Sequence, residues 1–284
     1  MKVVIIGAAN IDIIAKSKVS IIPGDSNPAD IKLKAGGVAR NIAAMLALRK
    51  IEVDFITAVG DDPFANLLRE SCADIGINTD AWIVKNNIST GVYLASLENN
   101  GELYTGFNAT TALESIRTAE LTKHRNRIRD ADLLILDLNL SEEIITLAIE
   151  LRNERPIMVD AVSAAKAPRI KNVLGKIDIL KLNRLEAEAL TDITLDTKQH
   201  VKQAANSLVS IGAKRVFITL GLAGVCAADA DAAIFVPAVP IVVKDVTGAG
   251  DAFTAGVAMK FTEDLRTQAE AGIALAAEHL GRRE

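Results

Sequence analysis

The stretch from Asp245 to Asp251 (Asp-Val-Thr-Gly-Ala-Gly-Asp) has the residue types of an anion-binding turn. It carries little side-chain bulk, and an apolar helical run begins directly after it. Such a turn presents unpaired backbone N–H groups at a helix N-terminus, where the helix dipole also favours an anion. Asp251 would repel a phosphate bound there, but it could take the proton from a hydroxyl that attacks the phosphate. Taken alone, the stretch is equally compatible with a structural turn in which Asp251 is a charge at a helix N-terminus.

Other polar residues follow predicted strands, where open α/β sheets bind their ligands. Asn10 and Asp12 come after the apolar run 2–7, and their spacing lets both side chains face one pocket. The alternative is a turn that uses both side chains for backbone hydrogen bonds. Further polar motifs are Asp137-Leu138-Asn139, Asp160 with Ser163 and Lys166, Asn183 with Glu186, and Thr219-Leu220-Gly221 with Gly224. Since parallel strands end at one edge of a sheet, the sequence predicts that these motifs meet there.

Asn183 and Glu186 lie three residues apart where a predicted strand passes into a helix. Their side chains can therefore share one helix face. A carboxylate and an amide in that position could hold Mg²⁺ through waters, because Mg²⁺ keeps much of its hydration shell. The alternative is a helix cap with a solvated glutamate.

The pair Gly36-Gly37 precedes a predicted helix that begins near Arg40 and Asn41. Two glycines allow a ligand to approach the backbone closely. Asn41 could then present its amide to a polyol.

Strands and helices alternate along the chain from residue 113, which indicates a parallel sheet with helices on both faces. Before that point the pattern is different. The segments 13–35 and 81–108 combine short alternating runs with turn signals such as 23–28 and the hairpin 98–102. We predict that they form a small antiparallel lid sheet over the carboxyl edge of the main sheet. Residues 1–284 are thus predicted to form a single domain with a lid.

Composition excludes several classes of protein. Half of the 284 residues are apolar and only 4% are aromatic, as expected for buried parallel strands flanked by helices. A formal charge of -4 gives no indication of a nucleic-acid or membrane partner. Two cysteines do not make a disulfide framework or a thiolate metal site. With no apolar run near the roughly 20 residues needed to span a bilayer, the sequence predicts a cytoplasmic protein.

Five of these motifs, in this order, resemble those of the ribokinase-like (PfkB) carbohydrate and nucleoside kinases over nearly the whole chain. The segments 36–41 and 245–251 resemble the two signatures of that family, and 10–12, 183–186 and 219–224 fall between or before them in family order. The resemblance implies an α/β fold with a three-layer α/β/α core, a mostly parallel sheet and a small β lid. It also implies a kinase that uses ATP and Mg²⁺, with K⁺ as a further candidate.

The resemblance assigns roles to individual residues. Asp251 becomes the catalytic base, and the amides of Gly248, Ala249 and Gly250 become the anion hole. The nucleotide, the metal and the phosphates would be held by Asn183, Glu186, Thr219, Gly221 and Gly224, and Asp245 could offer part of a monovalent-cation site. The phosphate acceptor would be held by Asn10, Asp12, Gly37, Arg40 and Asn41.

Within the family, the chain most resembles members that phosphorylate the 5′-hydroxyl of the nucleoside pseudouridine. Ser26, Arg40 and Lys166 carry this likeness, since sugar kinases of the ribokinase type rarely combine them. A uracil base needs amide-like donors and acceptors, which Asn27, Asn139 and Lys166 could supply. Another nucleoside, or a sugar such as ribose or fructose, is the nearest alternative acceptor.

The chain ends about 33 residues after Asp251. By resemblance, relatives continue with a loop and a helix that help to enclose the adenine and complete the cation site. The alternative to a kinase is therefore a non-catalytic binder of a nucleoside or sugar, with an incomplete ATP pocket. An apolar face on an exposed lid sheet would suit a homodimer.

Overall fold

The computed structural model describes residues 1–241 and 246–281. Its strands are β1 (Lys2–Ile6), β2 (Asn10–Ser17), β3 (Ala29–Gly36), β4 (Glu52–Ile56), β5 (Ala58–Gly60), β6 (Ile83–Lys85), β7 (Gly91–Leu97), β8 (Leu103–Ala109), β9 (Leu133–Asp137), β10 (Ile157–Asp160), β11 (Ile179–Asn183), β12 (Arg215–Thr219), β13 (Val225–Ala228) and β14 (Ala233–Val236). Its α-helices are α1 (Val38–Ala47), α2 (Pro63–Ala73), α3 (Thr111–Glu114), α4 (Thr118–Thr122), α5 (Arg125–Asp130), α6 (Glu142–Arg152), α7 (Arg184–Thr191), α8 (Lys198–Ile211), α9 (Ala249–Met259) and α10 (Leu265–Gly281). Within these described ranges, no helix combines the length and the apolar composition that crossing a bilayer requires.

Eight strands form the central sheet, in the order β14-β13-β12-β11-β10-β9-β1-β4. From β4 to β12 each strand runs parallel to its neighbour, and β13 and β14 continue the sheet in antiparallel pairing. The central parallel strands are apolar runs buried on both faces, as strands covered by helices on both sides must be. The predicted mostly parallel sheet is confirmed.

Side chains of the sheet alternate between two helical layers. In β1, Val3 and Ile5 pack with α1, α2, α9 and α10, whereas Val4 and Ile6 pack with α4 to α8. This is the predicted three-layer α/β/α core. The layer with α1 and α9 positions the candidate site, because both helices begin where the central parallel strands end.

A second sheet of four strands, in the order β3-β2-β7-β8, corresponds to the predicted lid. The pairs β2–β3 and β7–β8 are antiparallel, but β2 and β7 run parallel. The prediction of an entirely antiparallel lid is therefore wrong at its centre. A parallel pair needs a long crossover, and here the chain between β2 and β7 includes β3, α1, β4, β5, α2 and β6.

The predicted strand at 81–84 does not join the lid. Instead, β6 pairs with β5 in a separate two-stranded parallel sheet. Trp82 and Ile83 are buried, and the Trp82 ring packs edge-on against Phe55 with centroids 5.9 Å apart. These large apolar side chains hold the segment against the core, where a half-exposed lid strand could not bury them.

Candidate active site

The turn before α9 has the geometry of an anion site at a helix N-terminus. Gly248 is the residue that precedes the helix, and its φ of 76° lies in the left-handed region that glycine adopts at little cost. Among the residues that the structure describes, no side chain caps this end of α9. The Ala249 amide donates to the Val246 carbonyl at 3.2 Å, so this member of the predicted anion hole is engaged within the turn itself.

Asp251 lies in the first turn of α9 and accepts a hydrogen bond from the Asn41 side chain, with Nδ2 and Oδ2 2.7 Å apart. Burial and the nearby carboxylate of Asp160 raise the pKa of Asp251 to about 7, although the Asn41 hydrogen bond and the Lys181 ammonium oppose the shift. A carboxylate with a pKa near neutral is well matched to general base catalysis at that pH.

The start of α1 and the start of β2 bring the predicted acceptor residues towards Asp251. One Arg40 nitrogen, Nη2, donates to the Asn41 side-chain oxygen at 2.5 Å and to the Ala35 carbonyl at 2.6 Å. Asn10 donates to the Asp12 carboxylate at 2.5 Å. Arg40 interacts electrostatically with both Asp12 and Asp251. The structure thus groups a carboxylate, amides and a guanidinium near the candidate base.

Gly37 precedes α1 with a φ of 98°, and its backbone lies directly against the carbonyl of Ala8 and the Cα of Ala9. This close approach explains locally why a glycine stands here. Any side chain at 37 would push the start of α1 away from the β1–β2 connection.

Asn139 and Lys166, which the sequence predicts for base recognition, are in contact. The Lys166 ammonium donates to the Asn139 side-chain oxygen at 2.5 Å, and Asn139 is buried. Burial lowers the pKa of Lys166. Arg169 fixes this loop by donating to the carbonyls of Leu138, Asn139 and Leu140.

Asn183 and Glu186 form a reciprocal cap at the start of α7. The Asn183 oxygen accepts from the Glu186 amide at 3.0 Å, and the Glu186 carboxylate accepts from the Asn183 amide at 2.7 Å and from its side chain at 2.6 Å. The helix cap of the alternative interpretation is therefore present. The solvated glutamate of that interpretation is not, because Glu186 is only 1% exposed. Burial raises the pKa of Glu186, and Lys181 opposes that shift.

A cavity of about 580 Å³ lies on the other side of the α9 turn. Three residues predicted to contact the nucleotide, Thr219, Gly221 and Gly224, line it beside Gly250. Its remaining wall is mostly apolar and includes side chains of α10, among them Ile273, Ala276, Ala277 and Leu280. The α10 helix thus lines part of this cavity.

Two predicted residues lie apart from this group. Ser26 is exposed in the β2–β3 loop, and the Asn27 side chain bonds the backbone of Ile22 and Asp25 in the same loop. Seven residues of β2 separate this end of the lid from Asn10, or about 23 Å at roughly 3.3 Å per residue. Asp245, predicted as a cation ligand, lies outside the described residues.

Four buried polar residues below the α9 turn were not among the predicted site residues: Asp137, Asp160, Lys181 and Thr254. Asp137 and Asp160 were visible as polar strand ends but received no role. Lys181 carried a signal that could have been used, because a charge within an apolar parallel strand is unusual and needs a partner.

Comparison with known proteins places the chain in a family. The description of the family model that matches residues 1–284 is pfkB family carbohydrate kinase. The chain belongs to this family. It is 35% identical to the pseudouridine kinase of Escherichia coli over 98% of this chain and 91% of that protein. It is also 30% identical to the ribokinase of Staphylococcus aureus, over 89% and 83% of the two chains.

A solved structure confirms the ribokinase-like fold. Arabidopsis thaliana ribokinase, complexed with ribose and ATP, superposes with a TM-score of 0.89 over 99% of this chain and 93% of that chain, at 24% identity. As a member of the PfkB family, the protein is a kinase, a phosphotransferase that acts on hydroxyl groups.

Proposed function

We propose that this PfkB-family kinase transfers the γ-phosphoryl group of ATP to the 5′-hydroxyl of pseudouridine. The observation that carries the proposal is the position of Asp251. It lies at the N-terminus of α9, bonded to Asn41 on the acceptor side, with the apolar cavity beyond Gly250 on the other side. A base between an acceptor group and a nucleotide cavity is the arrangement that in-line phosphoryl transfer needs.

The proposed chemistry uses few protein groups. Asp251 accepts the proton of the attacking hydroxyl while Asn41 holds its carboxylate in place. Backbone N–H groups at the start of α9, together with the helix dipole, stabilise negative charge on the transferred phosphoryl group. Closure of the lid would exclude water that could otherwise accept the phosphate.

Asn183 and Glu186 suit a metal ion held mainly by phosphates and water. In the described part of the chain, no three acidic, histidine or cysteine side chains cluster into a complete metal site. Glu186 is buried, bears a carboxylate and has oxygen lone pairs beyond those its cap uses. Mg²⁺ bound with ATP would neutralise phosphate charge, and these two residues would hold it through water. A K⁺ ion beside the turn stays a prediction, because Asp245 lies outside the described residues.

The Asn139–Lys166 pair supports a nucleobase as part of the acceptor. The edge of uracil presents carbonyl oxygens and N–H groups, and the pair offers an ammonium and an amide in a buried position. The 35% identity to a pseudouridine kinase favours the same base. The similarity to a ribokinase keeps sugars among the acceptors to be tested.

An acceptor panel tests the proposal. With Mg-ATP and with or without K⁺, ADP release should give a kcat/KM for pseudouridine at least about tenfold above those for uridine, guanosine and ribose. Lys166→Met should lower the value for pseudouridine by roughly 10- to 100-fold, as expected for loss of a hydrogen bond from a charged group. The value for ribose should stay near that of the wild type, since ribose has no base.

Lys171→Met is the matched control, because Lys171 is exposed on the 3₁₀ segment (Ala167–Lys176) that directly follows Lys166. A preference for ribose would assign the acceptor differently within the family. Calorimetric binding of an acceptor without Mg-ATP binding or turnover would instead favour a non-catalytic binder.

We further propose that two copies associate through the lid. An apolar row crosses all four lid strands in register, from Leu33 through Ile13 and Leu94 to Phe107. Leu33 is 51%, Leu94 36% and Phe107 64% exposed, and Ile13 between them is partly buried against the core. Because a two-fold axis places a surface against itself, a second copy would cover this row with the same row.

Phe107→Asp is expected to convert a dimer into a monomer, because it buries a charge in the proposed apolar interface. Sedimentation velocity at micromolar concentration measures the change. Asn108→Asp is the control, since neighbouring residues of a strand point to opposite faces of the sheet. A wild-type protein that sediments as a monomer throughout the concentration range would exclude the dimer.

A further inference from the structure

Three charged residues lie side by side beneath the α9 turn. Asp137, Asp160 and Lys181 are partners in register across the neighbouring strands β9, β10 and β11. All three are buried on the face of the sheet that carries α1 and α9. Buried charges are costly unless they are paired and hydrogen-bonded. Packing alone therefore does not explain why these three charged residues are buried.

The contacts of this row fix the position of the Lys181 ammonium. Nζ lies 3.2 Å from Oδ2 and 3.4 Å from Oδ1 of Asp160. Oδ2 of Asp160 also accepts a hydrogen bond of 2.6 Å from the Thr254 hydroxyl, which comes from α9. Asp137 is satisfied separately by the backbone amides of Ala8, Ala39 and Asn139. Lys181 is thus anchored by an aspartate that is itself anchored to the catalytic helix.

The ammonium of Lys181 lies directly under the phosphate-binding turn. A Cβ atom on Gly250 would stand only 3.0 Å from Nζ. Nζ is ion-paired with the Asp160 carboxylate at 3.2 Å, and the carboxylates of Glu186 and Asp251 also attract the ammonium. One cation therefore faces the candidate base, the candidate metal-site glutamate and the turn together.

We propose that Lys181 is a positioning residue for phosphoryl transfer, placing a fixed positive charge beneath the Gly248–Gly250 turn and beside Asp251. This inference rests on the proposed kinase function. Without the ammonium, the negative phosphates would approach Asp160, Glu186 and Asp251 with one positive charge fewer to offset the repulsion. Because its side chain approaches the turn from the sheet, Lys181 acts on the turn and on Asp251 and does not touch the acceptor.

Lys181→Met tests the proposal, because methionine keeps most of the length and apolar stem but removes the charge. The expected result is a fall in kcat of about 30-fold or more and a raised KM for Mg-ATP. The calorimetric Kd of the neutral acceptor should stay within about twofold of the wild type. Loss of a residue with only a structural role would not impair turnover and the KM for Mg-ATP while leaving the Kd of the acceptor unchanged.

The pH profile gives a second readout. Within the described part of the chain, the charged groups that face Asp251 are Asp137, Asp160 and Lys181 from the sheet and Arg40 from α1. Loss of Lys181 should move the acid limb of kcat/KM to higher pH, whereas Asp160→Asn should move it to lower pH. Lys214→Met is the control, since Lys214 is an exposed lysine paired with Asp178 at 2.6 Å.

The charge-balanced variant Lys181→Met/Asp160→Asn covers the case in which the single variant fails to fold from an unpaired buried aspartate. It should recover the thermal stability of the wild type but keep the reduced kcat. A folded single or double variant whose kcat and Mg-ATP KM lie within about threefold of the wild type overturns the inference. If the wild type phosphorylates no acceptor of the panel, the proposed function fails instead.

Discussion

Asp251→Asn is expected to lower kcat by about 10³-fold while leaving acceptor and Mg-ATP binding nearly unchanged. Loss of a positioned general base commonly costs 10²- to 10⁴-fold. Asparagine keeps the shape of the side chain and can still accept the hydrogen bond from Asn41 that aspartate accepts at 2.7 Å. Steady-state ADP release and calorimetry measure the two quantities. Turnover within tenfold of the wild type would show that Asp251 is not the base.

The raised pKa of Asp251 makes this result depend on pH. Because the base must be ionised, kcat/KM of the wild type should fall as the pH drops through about 7. The pKa is raised from 3.8 to about 7, so the protonated form stabilises the fold, and this contribution is full below the lower value and lost progressively until the pH exceeds the higher one. The neutral Asp251→Asn variant should therefore have a higher Tm than the wild type at pH 8. Asp74→Asn, an exposed residue at the end of α2, should change neither property.

Gly37→Ala is expected to lower both Tm and kcat. Alanine at a positive φ costs about 1–2 kcal/mol, and its Cβ would collide with the backbone of Ala8 and Ala9, which adds about 1–3 kcal/mol as overpacking. The loss corresponds to a Tm lower by roughly 5–10 °C for a protein of this size. A shift of α1 by about 1 Å would also displace Asn41 from Asp251 and cost roughly 10²-fold in kcat.

Gly76→Ala separates the cost of the positive φ from the cost of the backbone collision. Gly76 also has a positive φ, of 79°, but no atom of the described residues lies within 4 Å of where its Cβ would stand. This control should lose the smaller amount of stability and keep full activity. Equal effects of the two variants on kcat would mean that the close approach at Gly37 does not position the site.

The core could be predicted because its determinants are local. Apolar runs that end in polar residues, alternating with helical segments, are sufficient to identify β9 to β12 as parallel strands. The lid could not be predicted in detail. Its parallel pairing of β2 with β7 joins segments about eighty residues apart. The strand β6 packs on the core instead of joining the lid, because Trp82 is buried against Phe55. Which strand pairs with which is decided by tertiary packing rather than by the pattern of each segment.

The candidate site, too, could be predicted only in part. Motif order was enough to bring Asp251, Asn41 and Asp12 to one edge of the sheet, because strand ends must meet there. It could not show that Ser26 and Asn27 lie at the far end of the lid, since that distance follows from the length of the β2–β3 pairing. Nor could it show that Glu186 is buried and interacts electrostatically with the Lys181 ammonium, because that interaction joins side chains of a strand and a helix after both have folded.

The hydrogen bond between Asn41 and Asp251 also couples acceptor binding to the protonation of Asp251. Asn41 belongs to α1, next to the acceptor residues, and Asp251 titrates near neutral pH. If acceptor binding alters this bond or dries its surroundings, it changes the proton affinity of the carboxylate, and protonation must alter acceptor affinity by the same factor. Near neutral pH the protein would then exchange protons with the solvent each time the acceptor binds or leaves, before any phosphate moves.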